Sequence, residues 1–250
     1  MKRNYWEKMA SNYQEEIFDV LQNDKKKWIA KAIKTYANSQ HHVIDIGCAV
    51  GKWLPVISPL FKKVIALDIS SNNLKIAQSM YRNLKNVCYR QGDMCNSRLR
   101  IKPAELGICI NALLTPHAHD RFAFFKNLQR CIKPDGILIL TVPSLESYLF
   151  TWIIQQQYKI DAALFAERLA KDKALQQWKN LKQGVVNIDD VPHKHFLREE
   201  LSLSLVQHQF EPIQFKKIEY GWDTEFVNPP HWLNQPLPWD WMVIAKRSKQ

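Results

Sequence analysis

Val43-Ile44-Asp45-Ile46-Gly47-Cys48-Ala49-Val50-Gly51-Lys52-Trp53 is the stretch on which the fold turns. Its apolar run from Val43 to Ile46 is interrupted by one acid and then broken by Gly47 and Gly51. A short apolar run closed by glycines predicts a buried parallel strand, a tight loop and a helix N-terminus beyond it. Glycine has no Cβ, so a ligand can approach bare backbone at such a loop. In α/β sheets nucleotides bind there, beyond the carboxyl ends of the strands.

The spacing separates two kinds of nucleotide loop. A dinucleotide fingerprint, G-x-G-x-x-G, needs glycine at positions 47, 49 and 52. The chain has Gly47, Ala49 and Lys52, so that pattern fails. With Asp45 ahead of it, the segment instead resembles motif I of the class I S-adenosylmethionine (SAM) dependent methyltransferases, [D/E]-x-G-x-G-x-G. Ala49 stands at the middle glycine, a departure that restricts the loop but adds little bulk. The resemblance implies SAM as cofactor, S-adenosylhomocysteine (SAH) as product, and Asp45, Gly47, Cys48, Ala49 and Gly51 bordering the cofactor.

Later segments carry the same resemblance in order. Lys63 to Asp68 predicts a second buried strand ending in an acid, one βα unit after the glycine turn. That interval suits a carboxylate meeting two ribose hydroxyls, with Ile69 beside it. Ser70 or Ser71 can cap the helix that follows. Val87 to Arg90 predicts a third strand, leading to Gln91-Gly92-Asp93-Met94. The resemblance assigns this loop to the adenine, with Asp93 accepting its amine and Met94 packing on the ring; Asp93 also suits a helix N-cap. Leu106 to Asn111 predicts a fourth strand whose end, at Asn111, faces the cofactor in this family. Ile132-Lys133-Pro134-Asp135-Gly136-Ile137-Leu138 is similar to the family's L-K-P-G-G-x-L, with the turn ending a helix and starting a fifth strand.

The expected fold is therefore α/β: a Rossmann-like, seven-stranded, mostly parallel sheet with an antiparallel last strand, helices on both faces and a helical insertion after the fifth strand. We divide the chain into N-terminal helices (1–40), a SAM-binding core (41–145), a helical insertion or cap (146–195) and a C-terminal helix with the last two strands (196–250). The insertion carries Tyr148, Phe150, Trp152, Leu164, Phe165, Leu169 and Trp178. It reads either as a packing extension or as a cover over a substrate pocket. Gln183 to His195 reads as a flexible segment. Near the N-terminus, Tyr5, Trp6 and Tyr13 either pack on the sheet edge or close over the cofactor.

At 250 residues and 46% hydrophobic, the chain is long enough to bury a substantial core. No apolar run approaches the roughly 20 residues that span a bilayer. Met1 to Glu7 has basic residues without an apolar stretch behind them, so no signal peptide is expected. Five scattered cysteines, with no C-x-x-C, suit reduced thiols in the cytoplasm. The net charge of +11 is concentrated in part between Lys62 and Lys102. It reads as a solvated surface more readily than as a nucleic-acid site, since base-stacking aromatics are not interleaved with it.

Methyl transfer from a sulfonium requires alignment and water exclusion, and a general base only when the acceptor holds a proton. His117 and His119 follow the fourth strand, and His193 and His195 precede the late helix. His117 and His195 are the candidate bases; no metal site is expected. Asn111-Ala112-Leu113-Leu114 departs from the [D/N]-P-P-[Y/F/W] of amino-methylating nucleic-acid enzymes. The expected activity is methylation of O, N or C on a small, partly apolar acceptor, with an RNA methyltransferase or a non-catalytic SAM-fold binding protein as alternatives. Oligomeric state is not legible here.

Overall fold

The computed structural model describes residues 3–9, 20–163, 171–188 and 190–249. A seven-stranded sheet forms its centre. Its strands are β1 (His42–Ile46), β2 (Lys63–Asp68), β3 (Val87–Gln91), β4 (Ala104–Ile110), β5 (Ile132–Pro143), β8 (Phe210–Glu219) and β9 (Trp239–Arg247), in the spatial order β3-β2-β1-β4-β5-β9-β8. β1 to β5 pair in parallel, and β9 runs antiparallel to both β5 and β8. The last strand alone is reversed, as the sequence pattern predicts.

Side-chain alternation along the strands builds a core on each face. On β1, Ile44 and Ile46 join Ile65, Leu67, Leu138 and Leu140 on one side. That side is covered by α6 (Ala118–Cys131), through Phe124, Phe125 and Leu128, and by α9 (Arg198–Gln207), through Leu201 and Leu205. Val43, Val64, Ala66 and Ile139 face the other way. There they meet Ile29 and Ile33 of α3 (Trp28–Thr35), Leu54 and Ile57 of α4 (Leu54–Ile57), and Leu74 and Ala77 of α5 (Ser71–Met80). Two further helices, α1 (Arg3–Met9) and α2 (Val20–Asn23), precede α3.

Two features differ from the sequence reading. The Pro134-Asp135-Gly136 turn does not separate helix from strand. α6 stops at Cys131 and β5 starts at Ile132, with the turn carried inside β5 where its register against β4 shifts and Asp135 takes a left-handed φ of 62°. A strand can absorb such extra residues as a bulge. The insertion after β5 is helical as expected, formed by α7 (Leu145–Tyr158) and α8 (Lys171–Leu181); Leu164, Phe165 and Leu169 lie outside the described residues.

Second, the segment read as flexible contains an antiparallel hairpin, β6 (Val185–Ile188) with β7 (Val191–Lys194). Backbone bonds tie it to the main sheet: Lys194 N–H donates to Leu114 O at 2.9 Å, and Phe196 N–H to Pro143 O at 2.8 Å. Lys194 is almost wholly buried, and its ammonium donates to the Gln183 carbonyl at 2.9 Å and pairs with Glu200 at 2.6 Å. The hairpin is thereby held over the ends of β4 and β5.

One polar anchor fixes the loop after β3. Buried Asn127 of α6 donates through Nδ2 to the carbonyls of Met94 and Asn96, both at 2.9 Å. Replacing it strands two acceptors beneath a packed helix. Asn127→Ala is expected to lower the unfolding free energy by about 1–3 kcal/mol in urea titration, and an unchanged midpoint would show that the loop does not depend on this anchor.

Candidate active site

The glycine loop is shaped by the end of β2. Gly47 and Cys48 both donate their N–H to Leu67 O, at 2.7 and 3.0 Å. Asp68 receives Ala49 N–H on Oδ2 at 2.9 Å and Ser70 N–H on Oδ1 at 2.8 Å. Gly47 has φ +73°, and a Cβ there would collide with Ala112 Cβ, so this turn requires glycine. Ala49 also takes a left-handed φ, 46°, at a cost of roughly 1–2 kcal/mol for an L-residue.

Two adjoining cavities open beyond the strand ends. The smaller, about 100 Å³, is walled by Asp68, Ile69, Asn73, Asp93, Met94 and Thr115 among others. The larger, about 450 Å³, reaches from Asp45, Cys48 and Lys52 to Tyr220, Glu225 and Asp240, with Ile188, His193 and His195 of the hairpin region on its wall. Trp6, Gly47, Ala49, Ile110, Asn111 and Leu114 border both. Three buried oxygens on these walls have no hydrogen-bond partner among the described residues: Asn73 Oδ1 and Thr115 Oγ1 in the smaller cavity, Asp45 Oδ2 in the larger. Burying polar groups without partners costs free energy, and such groups are commonly completed by water or ligand.

Helix α1 joins the site through Glu7. Its carboxylate accepts from the Ser70 hydroxyl (2.9 Å), Ser71 N–H (3.0 Å) and Asn72 N–H (3.0 Å) at the start of α5. Against the penalty of burial, the Asn72 and Ser71 amides and the Ser70 hydroxyl hold this carboxyl down to about 2. The attachment sets Trp6 beside both cavities.

The cavity walls carry unusual charge states. Burial, with Asp68 nearby, pushes the Asp45 carboxyl up to about 7. Burial raises Asp68 as well, against the Ser70 and Ala49 amides. Asp240 is pushed up to about 6 by burial, opposed by hydrogen bonds from the Tyr220 hydroxyl, the Asn111 amide (2.6 Å) and the Ser144 N–H. Glu225 keeps exposed surface on the cavity wall, yet crowding of its carboxyl by protein, then repulsion from Asp240, lifts it to about 7. Burial drives His195 down to about 4, so its imidazole is neutral at pH 7.

Most of the residues expected to touch cofactor converge here. Asp45, Gly47, Cys48, Ala49, Asp68, Ile69, Asp93, Met94 and Asn111 line one cavity or both. Asp93 also accepts Cys95 N–H at 2.7 Å, the local turn contact allowed by its sequence. Gly51 borders neither cavity; its φ of +82° serves the turn into α4, packed 2.7 Å (as a virtual Cβ) from Leu54 Cδ1. Tyr13 lies outside the described residues. His195 lines the larger cavity, while His117 sits exposed ahead of α6 and borders neither. A strand-end position places a residue near the cavity mouth, but the chain at His117 has already turned outward into its helix.

Sequence reasoning missed Asn73, Thr115, Tyr220, Glu225 and Asp240. Asp240 carried one signal, an acid opening an otherwise apolar strand, in Trp239-Asp240-Trp241-Met242-Val243. Glu225 carried none, because only the loop between β8 and β9 returns it to the cavity.

Residues 44–140 match the family model described as a methyltransferase domain. The demethylmenaquinone methyltransferase of Staphylococcus carnosus (strain TM300) is similar, 22% identical over 222 residues that cover 86% of this chain and 87% of the relative. Among solved structures, a SAM-dependent methyltransferase from Anabaena variabilis ATCC 29413 superposes with a TM-score of 0.65 at 16% identity, covering 98% of this chain and 93% of its own. The N-methyltransferase NodS from Bradyrhizobium japonicum WM9, solved with SAH, gives 0.63 at 8% identity, covering 99% and 98%.

The raised Asp45 carboxyl has a consequence for stability. Between about pH 4 and 7 the unfolded chain has lost this proton while the native chain keeps it, so stability falls as pH rises, by up to about 1.4 kcal/mol per pH unit crossed. Asp45→Asn is expected to flatten that part of the profile, gaining relative to the parent at pH 7.5 compared with pH 5. Parallel urea midpoints at the two pH values check it; identical slopes in both proteins would rule it out.

Proposed function

We propose that this chain, a class I SAM-dependent methyltransferase, moves the sulfonium methyl onto a small, partly apolar acceptor seated in its larger cavity. The observation that carries this reading is the meeting of the two cavities at Gly47, Ala49 and Asn111, one on the Asp68 side and one on the Asp240 side. A nucleoside with an extended tail needs such a pair of spaces joined over bare backbone.

The residues suit the cofactor. Asp68 accepts the Ala49 and Ser70 amides and a side-chain hydrogen bond from Asn73, and the acceptor capacity that remains on the wall of the smaller cavity suits the ribose. Asn73 Oδ1 and Thr115 Oγ1 offer unfilled polar contacts beside it, and Met94 supplies apolar surface for a base. Asp45 Oδ2 would receive the cationic end of the methionine moiety near Cys48 and Ala49. Bound SAM supplies a methyl group already activated on a positively charged sulfur. The chain has to hold the acceptor in line with it and exclude water, and alignment of this kind can contribute about 7–11 kcal/mol at best.

The insertion serves as the cover of the acceptor site in this reading, since Ile188, His193 and His195 wall the larger cavity. Neutral His195 can accept a hydrogen bond from the acceptor. A small acceptor is favoured over RNA because the basic residues between Lys62 and Lys102 are exposed and none borders either cavity. No helix among the described residues is long and apolar enough to cross a membrane. We assign the reaction to the cytoplasm, in keeping with five free cysteines.

Calorimetry with SAM and SAH tests the reading directly, and mass spectrometry of a metabolite extract incubated with enzyme and SAM then identifies any product one CH₂ heavier. Asp68→Ala is expected to weaken SAM binding by about tenfold or more, equivalent to about 1.4 kcal/mol, with circular dichroism unchanged. Parent-like affinity would remove Asp68 from the ribose site.

A further inference from the structure

We infer that the acceptor is an amine that enters as a cation and docks against Glu225 and Asp240 on the wall of the larger cavity. The inference rests on the methyl-transfer reading and names the substrate class of that site. Its first ground is a contrast of charge. The chain carries +11, yet Asp45, Glu225 and Asp240 all line this cavity, against Lys52 as the lysine or arginine on its wall. A cavity of opposite sign to its protein selects for cations.

The acids divide between two tasks by position. Asp45 lies on β1 next to β2, whose end carries Asp68, and its buried Oδ2 has no hydrogen-bond partner among the described residues. It belongs with the cofactor. Asp240 is the second residue of β9, three strands farther along the sheet from β1, and Glu225 lies in the loop that leads to that strand. A ligand lying across the strand ends from Asp68 to Asn111 therefore leaves these two for whatever accepts the methyl.

Their supports differ in a telling way. Asp240 is buried and oriented by Asn111 Nδ2, the Tyr220 hydroxyl and the Ser144 N–H. The Glu225 carboxyl hydrogen-bonds to no other described side chain, and it repels Asp240. Two acids on one cavity wall, the second of which repels the first, are both stabilised by one cation placed near them. An ammonium supplies that charge, and the rings of Tyr5, Trp6, Trp53 and Tyr220 on the same walls suit its hydrocarbon portion.

The chemistry balances. A protonated amine first gives one proton to the Glu225 carboxylate, which passes it to solvent. The freed nitrogen lone pair then forms the N–C bond as the C–S bond breaks, and the C–S pair stays on sulfur in neutral SAH. From one sulfonium and one ammonium the site thus yields SAH, a methylated ammonium and a proton.

Binding to the SAH complex of the full chain tests this without turnover. The probes are tyramine, tryptamine and phenethylamine, each paired with the alcohol and the carboxylate of the same skeleton, titrated by calorimetry. At least one amine is expected to bind about tenfold or more tighter than its matched alcohol and carboxylate. Glu225→Gln should cut that preference to about threefold or less while the SAH dissociation constant stays within about twofold. SAH binding with no amine preference in any pair, or a preference that survives Glu225→Gln, overturns the inference alone. Failure of the parent chain to bind SAH overturns the methyl-transfer reading and this inference with it.

Discussion

The C-terminal end of β2 holds the active region together. Leu67 O gathers the amides of Gly47 and Cys48, and the Asp68 carboxylate gathers those of Ala49 and Ser70. Four donors from two separate turns are thus fixed on two consecutive residues. Hydrogen bonds to a charged acceptor typically contribute about 1.5–3 kcal/mol each, so the carboxylate is a strong organising element despite its burial. The carboxylate shares in holding the loop after β1 and the first turn of α5, beside Leu67 O and Glu7, and both cavities are bounded by one or both of these segments. Its position also explains why Ala49 is tolerated where related loops carry glycine: the Asp68 contact offsets the strain of a left-handed alanine.

Around this clamp the molecule separates its charges. Lysines and arginines face outward along β2, α5 and the loops to β4, where water screens them. Carboxyls line the crevice, where low dielectric makes each more effective and each more costly to ionise. The crevice therefore sets like charges against one another, Asp45 opposed by Asp68 and Glu225 by Asp240. Ligands bearing positive charge relieve that opposition, so part of the binding energy comes from repulsion already present in the free protein.

Much of this was legible along the chain, for physical reasons. Val43 to Ile46, Lys63 to Asp68 and Leu138 to Val142 are buried strands that need no partner to be recognised, because both faces are apolar. Gly47 and Asp68 were legible because a tight turn and a strand-end acid constrain residue type locally. The hairpin at Val185 to Lys194 was not: its strands are short, and its order comes from the backbone contact with Leu114, remote in sequence, and from the burial of Lys194 against Glu200. His117 misled because proximity to a strand end along the chain does not fix the direction a side chain faces. The Glu225–Asp240 pair was hidden most completely, since the two become neighbours only when β8 and β9 pair and the intervening loop folds back.

The outer margin of the sheet carries a further consequence. Among the described residues β8 pairs only with β9, so one side of its backbone faces away from the ladder. That margin contains Pro212, a register irregularity before Gln214, and the adjacent lysines 216 and 217, with Trp28 of α3 lying under the Lys216 ammonium at 4.7 Å. A proline withholds a donor, an irregular ladder offers no straight template, and paired positive charges repel a second copy of themselves. The strand is thereby a poor seed for edge-to-edge polymerisation, and the protein can expose an unfinished ladder without inviting amyloid-like growth.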